Sequence, residues 1–184
     1  MRKLDIFNHI WPTKFFDALI GHIGQMTDIT LRSGAVPMIT NLDRRFEVKH
    51  MFGEGYQQVL TLASPPLEKI VDPEKALELS EVGSDSMASL CDKYPERFPA
   101  FVGTAPMDHG SGMASESQRA IDELGAVGMQ IYTNVKGQSL DHPDFAAFFE
   151  YMNENGKPIW MHPARGQGFA DYQSEERSEY EIWW

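Results

Sequence analysis

One cysteine in 184 residues, Cys91, leaves no partner for an internal disulfide and points to a reducing, cytoplasmic compartment. Positive charge is also scarce: 16 Lys and Arg stand against 27 Asp and Glu, a net charge of −11. Nucleic-acid binding needs a basic surface, so nucleic acid is not expected as a partner, although a few local arginines still suffice for a small anion. No window approaches the ~18 uninterrupted apolar residues of a membrane span. No stretch is both basic and amphipathic, and Asp5, Asn8 and His9 break the apolar run that a signal peptide would need. No membrane partner is expected. The sequence has no GxGxxG or GxxxxGK loop, and no CxxC, HExxH or GxSxG. Phosphate-loop nucleotide binding and the common zinc-protease and serine-hydrolase motifs therefore find no support.

What is present is apolar content of 42%, including 11% aromatic residues, enough for a sizeable core. Short apolar runs alternate with longer helical patterns. The runs are Leu4–Phe7, 57–66 (QQVLTLASPP), 99–107 (PAFVGTAPM), 126–135 (AVGMQIYTNV) and 158–164 (PIWMHPA). Between them, helices are predicted over Thr13–Gly24, Asp43–Phe52, from Asp72-Pro73 through Cys91, over Ser115–Leu124 and over Pro143–Asn155. Continuous apolar strands alternating with amphipathic helices indicate a parallel sheet covered on both faces. A doubly wound open sheet and a (β/α)8 barrel both satisfy this alternation, and both place function at the C-terminal strand ends.

The residues at those ends are all polar: His9, Ser64, Thr104, Asn134 and His162. His162 precedes a proline that ends its strand, which fixes the imidazole at the sheet edge. His22, His50 and His142 read as solvated, and only His109, just after the third strand, shares the location of the candidates. Arg44 and Arg45 begin a helix and can hold a carboxylate bidentately or simply face solvent. Asn134 can bind substrate or cap its loop. Tyr56, Trp160 and the phenylalanines read as core, and SEERSEYE (174–181) as a solvated helical face. A barrel takes about 250 residues, roughly 200 at least. Five strands ending in EIWW therefore read as an incomplete one.

The stretch 125–163 resembles the second amidohydrolase family, metal-dependent TIM barrels related to aminocarboxymuconate-semialdehyde, γ-resorcylate and 5-carboxyvanillate decarboxylases. Gly125, Gly128, Asn134, Gly137, Leu140, Asp141, Pro143, Phe145, Pro158 and His162-Pro163 carry its pattern. LDRRF (42–46), 58–66 and 101–107 also look like the family's earlier elements, so the resemblance covers the whole chain. It implies an α/β fold of (β/α)8 type. Residues 1–184 would supply about the first five β/α units, the N-terminal portion of one domain.

In such barrels the first strand carries D-x-H-x-H, and the spacing of two sets both histidines on one face as metal ligands. Asp5 and His9 match this pattern, His162 matches the fifth-strand ligand, and Phe7 stands where the first histidine belongs. The sixth-strand histidine and eighth-strand aspartate lie beyond the five units. The resemblance thus implies His9 and His162 as ligands of a divalent metal, with zinc expected, and Asp5 as a residue that orients them. Arg45 is the expected carboxylate holder, with Ser64 and Asn134 as further substrate contacts, and no acid or base is assigned.

The implied chemistry is decarboxylation, hydrolysis or hydration of a small carboxylated cyclic or dienoic substrate, with the 184-residue chain inactive by itself. The alternative is an inactive barrel or truncated product acting as a binding or assembly subunit, which Phe7 motivates. A half barrel exposes a sheet edge, so a homo-oligomer is expected.

Overall fold

The computed structural model describes residues 2–23 and 28–164, together with Ser174 and Glu176. The rest of the acidic 174–181 stretch and the terminal Ile-Trp-Trp lie outside the described residues.

The five apolar runs are strands, and all pair in parallel. β1 (Lys3–Ile10) pairs with β2 (Tyr56–Leu62), and β2 with β3 (Ala100–Phe101). β4 (Gly103–Thr104) pairs with β5 (Met129–Tyr132), and β5 with β6 (Ile159–His162). β3 and β4 are one run interrupted at Val102, whose amide still bonds the Leu60 carbonyl at 2.8 Å, while the Gly103 amide turns to Gly128 O at 2.9 Å. The third run therefore joins two three-stranded sheets into a sequential order. A doubly wound sheet would place later strands on the other side of the first one. Sequential order is the barrel arrangement. The sheet also curls, because the Trp160 indole on β6 donates to the Ile6 carbonyl on β1 at 2.7 Å.

The helices follow the sequence pattern with shifted ends. α1 (Thr13–Ile23), α4 (Leu42–His50) and α5 (Pro73–Lys93) fall where the periodicity predicts. Asp72 caps α5 by accepting from the Lys75 amide at 3.1 Å, with Pro73 in the first turn. α2 (Asp28–Gly34) and α3 (Pro37–Thr40) are short additions between α1 and α4. α6 (Ser111–Gln118) starts four residues before the expected helix and continues into a wider turn over Arg119–Glu123. His109 starts it by accepting from the Gly112 amide at 3.1 Å, so this histidine caps a helix. α7 (Ala146–Glu154) follows a short 3-10 turn at Pro143–Phe145.

Leu60, Leu62, Phe98 and Phe101 from the sheet side, Phe15 and Leu19 from α1, and Leu79 and Met87 from α5 form the apolar layer between sheet and helices. β2 and β5 are buried nearly throughout, whereas β1 and β6 are open, as befits the outer strands of this sheet. Gly128 is required where β5 meets β6: a Cβ there would lie 2.3 Å from the Pro158 carbonyl oxygen. Among the described residues no helix is long and apolar enough to cross a membrane.

Candidate functional site

β1 is longer than its apolar run and carries His9 inside the strand, opposite Thr61 of β2. Between Asp5 and Asn8 the register slips, three steps on β1 matching two on β2. Such a bulge reverses the alternation of faces along the strand. Phe7 and His9 therefore lie on the inner face, while Asp5 and Asn8 turn outward beneath α4. There the Asp5 carboxylate accepts from Asn8 Nδ2 at 2.7 Å, the Tyr56 hydroxyl at 2.8 Å and the Phe7 amide at 3.2 Å. Burial pulls its pKa upward, but these hydrogen bonds and the nearby Arg45 outweigh burial and hold it below the usual value. Asp5 bonds neither imidazole and acts through Asn8 and Arg45.

Arg45 is 3% exposed and spans the same outer face. Its guanidinium donates to the Met38 carbonyl at 2.9 Å, to Gln58 Oε1 at 3.1 Å, to Asn8 Oδ1 and to the His9 carbonyl. Four of its five N–H donors are therefore taken by protein acceptors. Burial lowers its pKa to about 10, so it is charged at neutral pH. In this structure Arg45 fixes β1 to α4 from behind His9.

On the inner face, the His9 and His162 rings face one another at a centroid separation of 5.2 Å. His9 Nδ1 lies 2.8 Å from Thr61 Oγ1, and that hydroxyl donates to the Asn8 carbonyl at 3.3 Å. That hydroxyl thus bridges the His9 ring and the Asn8 backbone. His162 Nδ1 lies 2.8 Å from the Pro163 carbonyl, which only accepts, so its Nε2 carries a lone pair. Ser64 Oγ sits 3.3 Å from that Nε2. Burial first and the facing His162 second push the His9 imidazole down to about 4, and burial lowers His162 as well. Both rings are neutral at pH 7, the state in which imidazole ligates a metal.

A metal-ligating histidine characteristically donates its other ring N–H to a nearby acceptor, as His162 does to the Pro163 carbonyl. The third corner is Phe7, 4.9 Å from the His9 ring and 5.8 Å from that of His162. Phe7 offers no lone pair. Among the described residues no group of three His, Cys, Asp or Glu side chains is placed to hold a metal ion. The described residues fit a divalent ion as two of its ligands.

Of the other expected residues, Ser64 joins the pair and Thr104 stays buried at its strand end. Asn134 is turned to the loop: it donates to the Ala164 carbonyl at 2.5 Å and accepts from the Gly137 amide at 3.1 Å. Sequence reasoning missed Thr61 and Tyr132. Tyr132 is opposite His162 in register, with its ring 5.0 Å away. Strand parity held the signal: once the two histidines face inward, their parallel-paired neighbours must do so too.

The chain matches the Amidohydrolase family (Amidohydro_2) over residues 5–180. It is 35% identical over 91 residues to 2-amino-3-carboxymuconate-6-semialdehyde decarboxylase of Dictyostelium discoideum, covering 50% of this chain and 25% of that protein. It is 30% identical over 123 residues to the γ-resorcylate decarboxylase of Rhizobium sp. (strain MTP-10005), covering 63% of this chain and 37% of that one. Among solved structures, 5-carboxyvanillate decarboxylase from Sphingomonas paucimobilis superposes with a TM-score of 0.77 at 22% identity, over 93% of this chain and 56% of that chain. The 5-carboxyvanillate decarboxylase of Novosphingobium aromaticivorans, solved with manganese bound, gives a TM-score of 0.71 at 23% identity, covering 88% of this chain and 51% of that one. The chain thus spans a quarter to about half the length of these relatives. At such identities the superpositions speak for the fold, which is of TIM-barrel type. Together with the match over residues 5–180, they establish that this chain belongs to the Amidohydrolase family.

Proposed function

We propose that this chain is the N-terminal portion of a barrel enzyme, its first five β/α units. The enzyme would remove the carboxyl group of a small cyclic or dienoic acid in the cytoplasm. In that reaction the bond from carbon to the carboxylate breaks, CO2 leaves, and a proton takes its place on carbon. Hydrolysis or hydration of a related acid is the neighbouring possibility within the same family. The observation that carries the reading is the His9–His162 pair, two neutral imidazoles whose ring centres lie 5.2 Å apart at the strand ends. The relatives named decarboxylases give it a reaction.

In this proposal His9 and His162 hold a divalent ion, zinc by the chemistry of imidazole ligands or manganese as in the Novosphingobium enzyme. When bound, the ion supplies Lewis acidity toward a substrate oxygen. The chain's own residues set the stage. Thr61 orients the His9 ring, the Pro163 carbonyl fixes the tautomer of His162, and Arg45 holds the His9 backbone from behind. Ser64, on the loop leaving β2, contacts the substrate, Asn134 holds the loop after β5 that borders it, and Arg45 contributes positive charge rather than a direct grip on its carboxylate. Further ligands and the proton donor come from later strands. The open edges of β1 and β6 are where those strands pair, or where a second copy pairs if the 184-residue chain exists alone. Sequencing the gene past the codon for Trp184 tests this directly. A further strand ending in histidine and a later one ending in aspartate are expected, and a frame lacking both overturns the enzyme reading.

Phe7 favours a second reading, a barrel that binds or assembles without catalysis, because it fills the third corner with a ring that cannot ligate. Elemental analysis of the purified protein separates the two. Stoichiometric zinc or manganese refutes the second reading.

A further inference from the structure

The register slip in β1 sets Ile6 and Phe7 against a single residue of β2, Val59. That slip decides what the inner face carries. Continued past Asp5 without it, the pairing would put Phe7 opposite Leu60, Asn8 opposite Thr61 and His9 opposite Leu62. Leu62 faces the helix layer, where its side chain packs at Gly83 of α5. Paired residues of parallel strands share a face, so His9 would then turn away from His162. A bulge leaves backbone groups outside the ladder, and those groups need other partners.

Both partners are visible. The Phe7 amide is taken by the Asp5 carboxylate at 3.2 Å, and the Ile6 carbonyl by the Trp160 indole N–H at 2.7 Å. The indole bond is the only hydrogen bond among the described residues that crosses from β6 to β1. Trp160, expected in the core, is instead half-buried on the inner face, opposite Gln130 and two residues before His162. Gly128 makes room for it, since a Cβ there would lie 2.7 Å from the indole Cζ3.

We propose that Trp160 is a positioning residue for His9: its indole pins the Ile6 carbonyl, holds the bulge of β1 and so keeps His9 on the face of His162. Gly128 admits the indole, the indole fixes the slip, and the slip selects the face. The strand that carries His162 thereby also sets the direction of its partner. That His9 serves a metal rests on the function proposed above, whereas the control of register does not.

Trp160→Phe keeps a flat ring and removes the N–H. Nuclear magnetic resonance of the isotope-labelled full chain reads the register directly. In wild type, cross-strand contacts should place Asn8 opposite Leu60 and His9 opposite Thr61. The Trp160 indole proton, identified by its loss in the variant, should exchange with solvent at least about tenfold more slowly than a free indole. In Trp160→Phe a slipped set should appear, with Phe7 opposite Leu60 and Asn8 opposite Thr61. A merely packing role would lower the melting temperature and leave Asn8 opposite Leu60. Zinc calorimetry separates this claim from the metal reading: the variant should bind at least about tenfold more weakly than wild type. A wild type that binds no zinc refutes the metal reading and leaves the register to decide this one. Unchanged register in Trp160→Phe, equal and measurable zinc affinities, or a freely exchanging wild-type indole would overturn the proposal. The last is measured on wild type, so it decides even if the variant fails to fold.

Discussion

Replacing Arg45 by methionine separates two roles that the residue type alone leaves equal. Methionine approximates the volume of the arginine stem but donates nothing. The Met38 and His9 carbonyls and the side-chain oxygens of Asn8 and Gln58 would all lose a donor. Each buried acceptor left without a partner costs about 1–3 kcal/mol, and the two amide side chains can partly recover by rotating. Dismantling a buried, hydrogen-bonded charge network costs about 3–5 kcal/mol by a separate comparison, so a loss of about 4 kcal/mol is expected. For a chain of this size that corresponds to a fall in melting temperature on the order of 10 °C. Thermal unfolding followed by far-ultraviolet circular dichroism reads it directly. Arg45→Lys should recover less than half of the loss, because one ammonium cannot serve acceptors spread around a planar fork. A carboxylate-binding arginine would behave differently, its loss leaving stability intact and weakening only ligand binding. A melting temperature unchanged in Arg45→Met would refute the anchoring role and return Arg45 to the substrate.

Phe7→His should restore a third imidazole beside His9 and His162 and raise zinc or manganese affinity at least about tenfold by calorimetric titration; equal affinities would show that Phe7 is not at the ligand corner. Gly128→Ala should destabilise by about 2–3 kcal/mol in urea unfolding, since the new Cβ meets a backbone oxygen at 2.3 Å rather than a flexible side chain; a neutral result would show that β5 and β6 can part without cost. Glu68 gives stability a pH dependence of known sign. Its folded pKa of about 7 lies above the unfolded value, so the folded state holds the extra proton between about pH 4.5 and 7, and stability should fall as pH rises through that window by up to about 3 kcal/mol. Glu68→Gln should flatten that slope, and an unchanged slope in denaturation midpoints would place the titrating group elsewhere.

Much of the fold could be read from the sequence because parallel strands buried on both faces leave short, mostly apolar runs, as 59–63 and 126–132 do. The choice between barrel and open sheet could not be made that way, since both share the alternation and differ only in strand order. That order appears once Val102 hands the third run from β2 to β5. The bulge in β1 was equally hidden: LDIFNHI contains no glycine or proline to mark it, and a one-residue slip depends on what β2 offers opposite. With the bulge went the fate of Asp5, which an unbroken strand would have placed beside His9. Arg45 was legible as a charged residue near the site but not as a buried one. An arginine on a helix start is ordinarily solvated, and only the packing of α4 behind β1 brings it to four acceptors. Glu68 escaped notice because carboxylates in loops are the commonest sight in an acidic chain, and burial is invisible to composition.

The histidine pair weighs against a purely structural inner face. Two imidazoles held neutral in a half-buried space, each with Nδ1 hydrogen-bonded, are an expensive way to fill volume. Two apolar side chains would occupy it without the cost of desolvating polar rings. Thr61 adds to the contrast, because its hydroxyl lies within hydrogen-bond range of both the His9 ring and the Asn8 carbonyl. At His162 the Nε2 lone pair meets the Ser64 hydroxyl at 3.3 Å, a contact that a stronger partner readily displaces. A frame kept for packing alone would have no reason to hydrogen-bond both rings at Nδ1, and this bonding favours the metal-binding proposal over the assembly one.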